Sequence, residues 1–352
     1  MPYTTIWFPM REAETLRVAC VGAGFFSQFH YDSWARMDRV QIVGSCDHDL
    51  AKAKTTGLPA FEDVGEMIMR GAPDLLDVIV PPQAHAQTIR TALAAGVMWI
   101  ICQKPFCAGL QEARAICDEA RAHGAQIIVH ENFRFQPWYR RIKQSLAAGD
   151  VGQLQQVTFR LRPGDGQGPE AYLDRQPYFQ RMERFLVHET AVHWVDTFRF
   201  LLGDPLSVYA DLRQVNPVLA GEDAGYILFD HPGGVRALFD GNRHLDHAAD
   251  NLRRTMGEAL VEGTQGTLRL LGDGSVRLRR FGAQKDAELL PPDTWEGFGG
   301  DCVHALQSHV VSGVLEGAGL ENTARDYLTV LEVEEAIYAS ARAGSKVKVG
   351  MV

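Results

Sequence analysis

LRVACVGAGFFS, Leu16 to Ser27, joins a short β-rich run to a glycine turn and then to a helical pattern reaching about Met37. Strand, glycine turn and helix N-terminus together let backbone N–H groups approach a pyrophosphate, and the helix dipole favours its negative charge. Gly22, Gly24, Phe25 and Phe26 are therefore candidate cofactor-binding residues. Ser27 stands where the dinucleotide fingerprint places its third small residue. A Gly-x-Gly pair alone is a weak signal, and its surroundings have to carry it. A second strand, Val40 to Cys46, ends at Asp47, about twenty residues past the glycines, where a carboxylate hydrogen-bonds ribose hydroxyls and repels a 2′-phosphate. NAD is favoured, with Lys52 and Lys54 keeping NADP as the lesser reading. Asp47 also suits a cap for a helix starting near His48.

The alternation continues with a helix over Asp63–Arg70, a strand over Leu75–Val80, the turn Pro81 to His85 and a helix over 84–95. A strand over Val97–Cys102 runs into Gln103, Lys104 and Pro105, followed by a helix over Leu110–His123 and a strand over Gln126–His130. Strands separated by helices on this rhythm give a parallel sheet with right-handed crossovers. Ligands then lie beyond the carboxyl ends of the strands, at Gly22 to Ser27, Pro81 to His85, Gln103 with Lys104, and His130 to Arg134. A lysine placed there stabilises a developing alkoxide or lowers the pKa of a substrate hydroxyl. The plain alternative for Lys104 is a surface lysine at a strand end.

After Gly149 the pattern shifts to alternating strands: Leu154–Arg162, Val208–Gln214, Tyr226–Phe229, Val235–Asp240, Glu258–Glu262, Thr267–Leu271 and Val276–Phe281. Glycine-rich turns separate several of them, as in an antiparallel meander. The expected fold class is thus α/β plus α+β. A Rossmann doubly wound parallel sheet spans 1–130, and a domain built on a large, mostly antiparallel open sheet spans 131–352. Two helical patterns, Asp301–Leu315 and Thr323–Ala343, close the chain, with Asn322 or Thr323 suited to cap the last. A sheet with one helix-covered face and one apolar face suits a homodimer or homotetramer through sheet stacking. The loop Arg162 to Pro169 either covers a cleft or is a plain surface excursion.

Within this second part, Arg184 to Gly203 reads as one helix, about 188–202, stopped by the glycine. At ~100° per residue, Glu189, His193, Asp196 and Phe200 share one face, opposite Ala191, Trp194, Val195, Phe198, Leu201 and Leu202. An imidazole between two carboxylates is a candidate general base, Glu189 or Asp196 fixing its tautomer. An ordinary wet helix face is the alternative. His188 and His193 are five apart, ~140° around a helix, so no shared metal is expected. Asn132, Arg134, Arg162 and His188 are the polar side chains expected nearest a small polyhydroxylated substrate.

Composition narrows the classes further. A length of 352 residues suits two domains, and 46% hydrophobic with 22% charged residues is globular. A net charge of −9 without a basic cluster excludes nucleic acid and anionic lipid as natural partners. No apolar run approaches membrane-spanning length, and Ile6 to Met10 lacks the basic start and core length of a signal peptide. Six cysteines without a Cys-x-x-Cys pair read as buried reduced thiols of a cytoplasmic protein.

Taken together, the glycine turn, Asp47, Pro81 with His85, Lys104 with Pro105, and the helix from His193 to Asp196 resemble the Gfo/Idh/MocA family of nicotinamide-dependent sugar and cyclitol oxidoreductases, from about Leu16 to the C-terminus. The resemblance implies that Lys104 and His193 are catalytic, that the glycine turn and Asp47 hold the dinucleotide, and that His85 lines the cofactor cleft. Two departures stand out. Gln103 replaces the glutamate that commonly precedes Lys-Pro and contacts the nicotinamide ribose, and Glu189 replaces an aspartate one turn before the histidine. The expected reaction is NAD-dependent oxidation of a sugar or cyclitol hydroxyl. The alternatives are an oxidoreductase that recycles a tightly held NADP and a non-catalytic dinucleotide sensor.

Overall fold

Short apolar runs bounded by turns become strands β1 (Leu16–Val21), β2 (Val40–Cys46), β3 (Ala60–Phe61), β4 (Leu75–Val78), β5 (Trp99–Gln103) and β6 (Gln126–His130). Between them lie helices α1 (Ser27–Ala35), α2 (Leu50–Thr55), α3 (Val64–Gly71), α4 (Pro82–Ala94) and α5 (Leu110–Ala122). The computed structural model describes residues 15–351, so the apolar run at Ile6 to Met10 lies outside the described residues. The six strands are all parallel, in the order β3-β2-β1-β4-β5-β6. This is the doubly wound order, with its switch point between β1 and β4. Val18, Ala19, Cys20, Leu76, Ile100 and Ile101 are fully buried, as in a sheet covered on both faces.

Local chemistry sets the helix starts. Asp63 accepts the Glu66 N–H at 2.7 Å and caps α3. Asp49, not Asp47, caps α2 by accepting the Ala51 N–H at 3.0 Å, so that helix begins two residues later than expected. Gly22 has φ +112°, and a Cβ there would lie 2.7 Å from the Ile79 carbonyl oxygen, so only glycine fits between β1 and the end of β4.

The chain divides into two compact units, one of residues 15–107, 115–130 and 306–324, the other of 108–114, 131–305 and 325–351. The second unit holds α6 (Pro137–Ala147), β7 (Leu154–Leu161), a π-helical turn (Leu186–Ala191) and α7 (Val192–Leu202). Then come β8 (Ser207–Arg213), β9 (Ala224–Asp230), β10 (Arg236–Asn242), β11 (Gly257–Gly263), β12 (Gly266–Leu270), β13 (Val276–Arg280) and β14 (Ala287–Leu290). The chain ends in α8 (Cys302–Glu316), α9 (Ala324–Ala343) and β15 (Val347–Lys348). The nine strands pair as β14-β13-β12-β11-β7-β10-β9-β8-β15. All neighbours are antiparallel except β7 with β10, so the sheet is not a pure meander.

Helix α7 lies on one face of this sheet: the Trp194 ring stacks on Phe159 at 4.2 Å, and Phe198 meets Phe229 edge-on at 5.6 Å. Burying each such ring stabilises the fold by roughly 1.5–3 kcal/mol. The opposite face is mixed where a uniformly apolar one was expected. Leu228, Leu238, Thr158 and Leu260 align in register across β9, β10, β7 and β11. Beside them runs a charged row of Asp240, Arg160 and Glu258. Among the described residues, no helix is long and apolar enough to cross a membrane. All six cysteines are buried and unbridged.

Candidate active site

In the first unit, the glycine turn leads directly into α1. A Cβ on Gly24 would meet no atom within 4 Å, so that glycine keeps open the space beside the turn that a pyrophosphate requires. Ser27 closes the turn by donating to the Gly24 carbonyl at 2.6 Å. Phe25 is exposed, while Phe26 packs edge-on against His30 at 5.7 Å. Asp47 at the end of β2 accepts the Ala23 N–H at 2.8 Å through Oδ2 and the Asp49 N–H at 2.9 Å through Oδ1. His48 Nδ1 also lies 3.0 Å from Oδ1, which leaves Oδ2 with a lone pair for a ribose hydroxyl, and the carboxylate repels a 2′-phosphate. These residues fit an NAD molecule. Asp47→Ala is expected to weaken NAD binding by roughly tenfold, one charge-assisted bond, and to narrow the preference for NAD over NADP. Fluorescence titration with both dinucleotides measures this.

Pro81 is exposed and starts α4. His85 departs from the resemblance: it is fully buried, Nε2 2.7 Å from the Val80 carbonyl and Nδ1 accepting the Cys107 N–H at 3.3 Å. Its ring is turned inward to brace two backbone turns and does not line a cleft. Lys104, half-buried, follows β5 directly. Gln103 also points inward, its Nε2 3.0 Å from His30 Nε2 and its Oε1 accepting the Lys104 N–H at 2.8 Å. A ribose contact from that amide is therefore not what the geometry provides.

In the second unit, the turn after β6 and the start of α7 build one compact arrangement. His193 Nδ1 lies 2.5 Å from Glu131 Oε1, and its ring stacks on Phe133 at 3.8 Å with an interplanar angle of 5°. A carboxylate only accepts, so Nδ1 carries the proton and Nε2 the lone pair of a general base. Glu131 is fully buried and also accepts from the Tyr327 hydroxyl at 3.3 Å. Sequence alone does not single it out. Nothing local marks it, although it stands at the carboxyl end of β6, where ligand-side residues collect.

The carboxylate role expected of Asp196 is corrected. Asp196 is fully buried and holds Arg134 through two bonds of 2.8 and 2.6 Å. Burial pushes its carboxyl up to about 6, Arg134 pulls it down and Glu131 adds to the rise. Helix α7 has no wet face there. Glu189 lies on the preceding π-helical turn, whose wider winding breaks the ~100° step assumed between Glu189 and His193. Arg134 is likewise committed to Asp196. Arg162 is buried and donates to the Asp240 carbonyl at 2.8 Å and its carboxylate at 2.6 Å. His188 pairs through Nδ1 with Glu334 at 2.7 Å, and Asn132 is buried ahead of the 3₁₀ turn Phe133–Phe135. The breaker-rich loop is pinned, Asp165 accepting from Tyr172, Arg175 and Arg243, which hold its carboxyl low against burial. Among the described residues, no group of three or more His, Cys, Asp or Glu is placed to hold a metal ion.

Residues 16–131 match the Gfo/Idh/MocA model described as an oxidoreductase family with an NAD-binding Rossmann fold, and residues 139–269 match the Gfo/Idh/MocA C-terminal domain. A D-apiose dehydrogenase of Paraburkholderia graminis is 32% identical over 94% of this chain and 88% of its own length. A D-apiose dehydrogenase of Rhizobium rhizogenes is 28% identical over 95% and 98%. The crystal structure of an oxidoreductase from Agrobacterium radiobacter in complex with NAD+, L-tartaric acid and magnesium superposes with a TM-score of 0.86 at 27% identity, covering 95% of this chain and 98% of that one.

Proposed function

This chain belongs to the Gfo/Idh/MocA oxidoreductase family, and we propose that it oxidises a hydroxyl of a small polyhydroxylated substrate, D-apiose first among candidates, with NAD. The observation that carries the reading is His193, held by Glu131 with Nε2 in the basic form. His193 takes the hydroxyl proton, Glu131 stabilises the imidazolium that forms, and Lys104 donates to the substrate oxygen as charge builds there. Glu189, beside His193 in sequence, supplies a hydrogen bond to a second hydroxyl, and Asn132 and His188 complete the polar lining. NAD, when bound, supplies the hydride acceptor. Oxidation of a ring hemiacetal hydroxyl yields a lactone, and of a ring carbinol a keto-sugar.

Residues up to 130 serve chiefly the dinucleotide and those beyond it the substrate. Assembly as a homodimer or homotetramer through the mixed face of the nine-stranded sheet is supported by the aligned row of Leu228, Leu238 and Leu260 flanked by charges that self-complementary packing can pair. The six buried, unbridged thiols support a cytoplasmic setting. Incubating the full chain with NAD and, in turn, D-apiose, other aldoses and cyclitols is expected to give NADH absorbance near 340 nm with D-apiose among the fastest. A panel in which no polyol reduces NAD or NADP removes the dehydrogenase reading.

A further inference from the structure

Asp77 is fully buried on β4, in the middle of the parallel sheet, and the groups that reach it are neutral donors or a histidine. Its Oδ2 lies 2.8 Å from His30 Nδ1, 2.7 Å from the Trp34 indole nitrogen and 3.4 Å from the Gln307 amide nitrogen. Across the His30 ring, Nε2 faces Gln103 Nε2 at 3.0 Å, and Gln103 Oε1 accepts the Lys104 N–H at 2.8 Å. The donor polarity of this chain is fixed from its far end. A backbone N–H only donates, so the amide oxygen faces Lys104 and the amide NH₂ faces His30; His30 Nε2 must accept, and Nδ1 carries the proton given to Asp77.

A buried carboxylate without a guanidinium or ammonium partner is expensive to keep, and an apolar side chain packs more cheaply in a parallel strand. We propose that Asp77 and His30, the latter in its Nδ1–H tautomer, are positioning residues that lock the Gln103 amide and, through it, the main chain from which the Lys104 ammonium projects. The inference rests on the reading of Lys104 given above. It also accounts for glutamine at position 103, because a carboxylate there would set an acceptor against an acceptor. The titratable groups facing His30 and Asp77 are His130 on β6, its ring centroid 4.1 Å from that of His30 and tilted 33° to it, the thiols of Cys20 on β1 and Cys102 on β5, and Tyr31 on α1. Burial and the Asp77 charge hold both thiols protonated, so neither competes for the His30 proton.

Two measurements on the full chain test this. In ¹⁵N-histidine spectra at pH 8, the signal missing from His30→Gln is expected to show the Nδ1–H tautomer. An Nε2–H tautomer there overturns the chain whatever the enzyme turns over. With NAD and D-apiose, His30→Leu is expected to lose kcat by roughly tenfold with KM for the sugar within about twofold, since binding groups stay in place while the reacting oxygen's donor shifts. In Gln103→Glu a carboxylate acceptor is set against the lone pair of His30 Nε2, so kcat is expected to fall by a similar factor, again with KM for the sugar within about twofold. Wild-type kcat in both variants overturns the positioning role. A wild-type chain that oxidises no polyol while His30 shows the Nδ1–H tautomer defeats the reading of Lys104 and leaves the buried chain intact.

Discussion

His193→Ala is expected to lower kcat for sugar oxidation by roughly 10²–10⁴-fold, the range general-base removal produces, while the NAD dissociation constant stays within a few fold. The separation follows from where the parts lie: the dinucleotide turn, Asp47 and α1 belong to the first unit, and His193 to the second. Glu131→Gln is expected to fall between wild type and His193→Ala. The glutamine oxygen still accepts the Nδ1 proton across the 2.5 Å contact, so the tautomer and the Phe133 stack survive, but the charge that stabilises the imidazolium is lost. Steady-state rates at saturating NAD, with fluorescence titration of the cofactor on the same preparations, decide both. Equal rates for His193→Ala and wild type would show that another group takes the proton.

Arg134→Ala is expected to destabilise the fold by about 3–5 kcal/mol at pH 8, because it leaves the fully buried Asp196 carboxylate without its bidentate partner. The sign of the pH effect follows from the carboxyl being pushed up to about 6. The folded chain holds a proton that an unfolded aspartate releases near pH ~4, so between these values stability falls as pH rises. Without Arg134 the carboxyl keeps that proton to higher pH still. The loss measured by urea unfolding is therefore smaller at pH 5 than at pH 8. Arg134→Met with Asp196→Leu removes both charges together and is expected to recover most of the loss. A single variant as stable as wild type at pH 8 would mean that Asp196 is neutral in the folded chain throughout.

What could be read before any coordinates depended on how far each signal reaches. Strands β1, β2 and β6 begin and end where their apolar runs do, since a buried parallel strand is bounded by the residues beside it. Helix α7 was legible as a helix but not as a buried one. Asp196 looks like part of a solvated face until Arg134, more than sixty positions away, is brought against it. The π-helical turn over Leu186–Ala191 carries no composition signal, so in the sequence an unbroken 3.6-residue period runs through it and sets Glu189 one α-turn from His193. Glu131 escaped for the same reason as Arg134: the pairing is long-range, and a glutamate after a strand is common. The two-residue strands β3 and β15 fall below what alternation can mark.

The return of residues 306–324 to the first unit bears on how this chain is made. Strand β6 is the edge of the parallel sheet, and it is covered only when Thr323 bridges Ile128 and the Val129 N–H finds the Asn322 carbonyl at 2.8 Å. On the ribosome, at ~5–20 residues per second, that cover arrives roughly 10–40 s after the strand itself has emerged. For that interval the nascent domain carries an open, apolar edge of the kind that recruits other strands, so the yield of native enzyme depends on chaperone occupancy as well as on final stability.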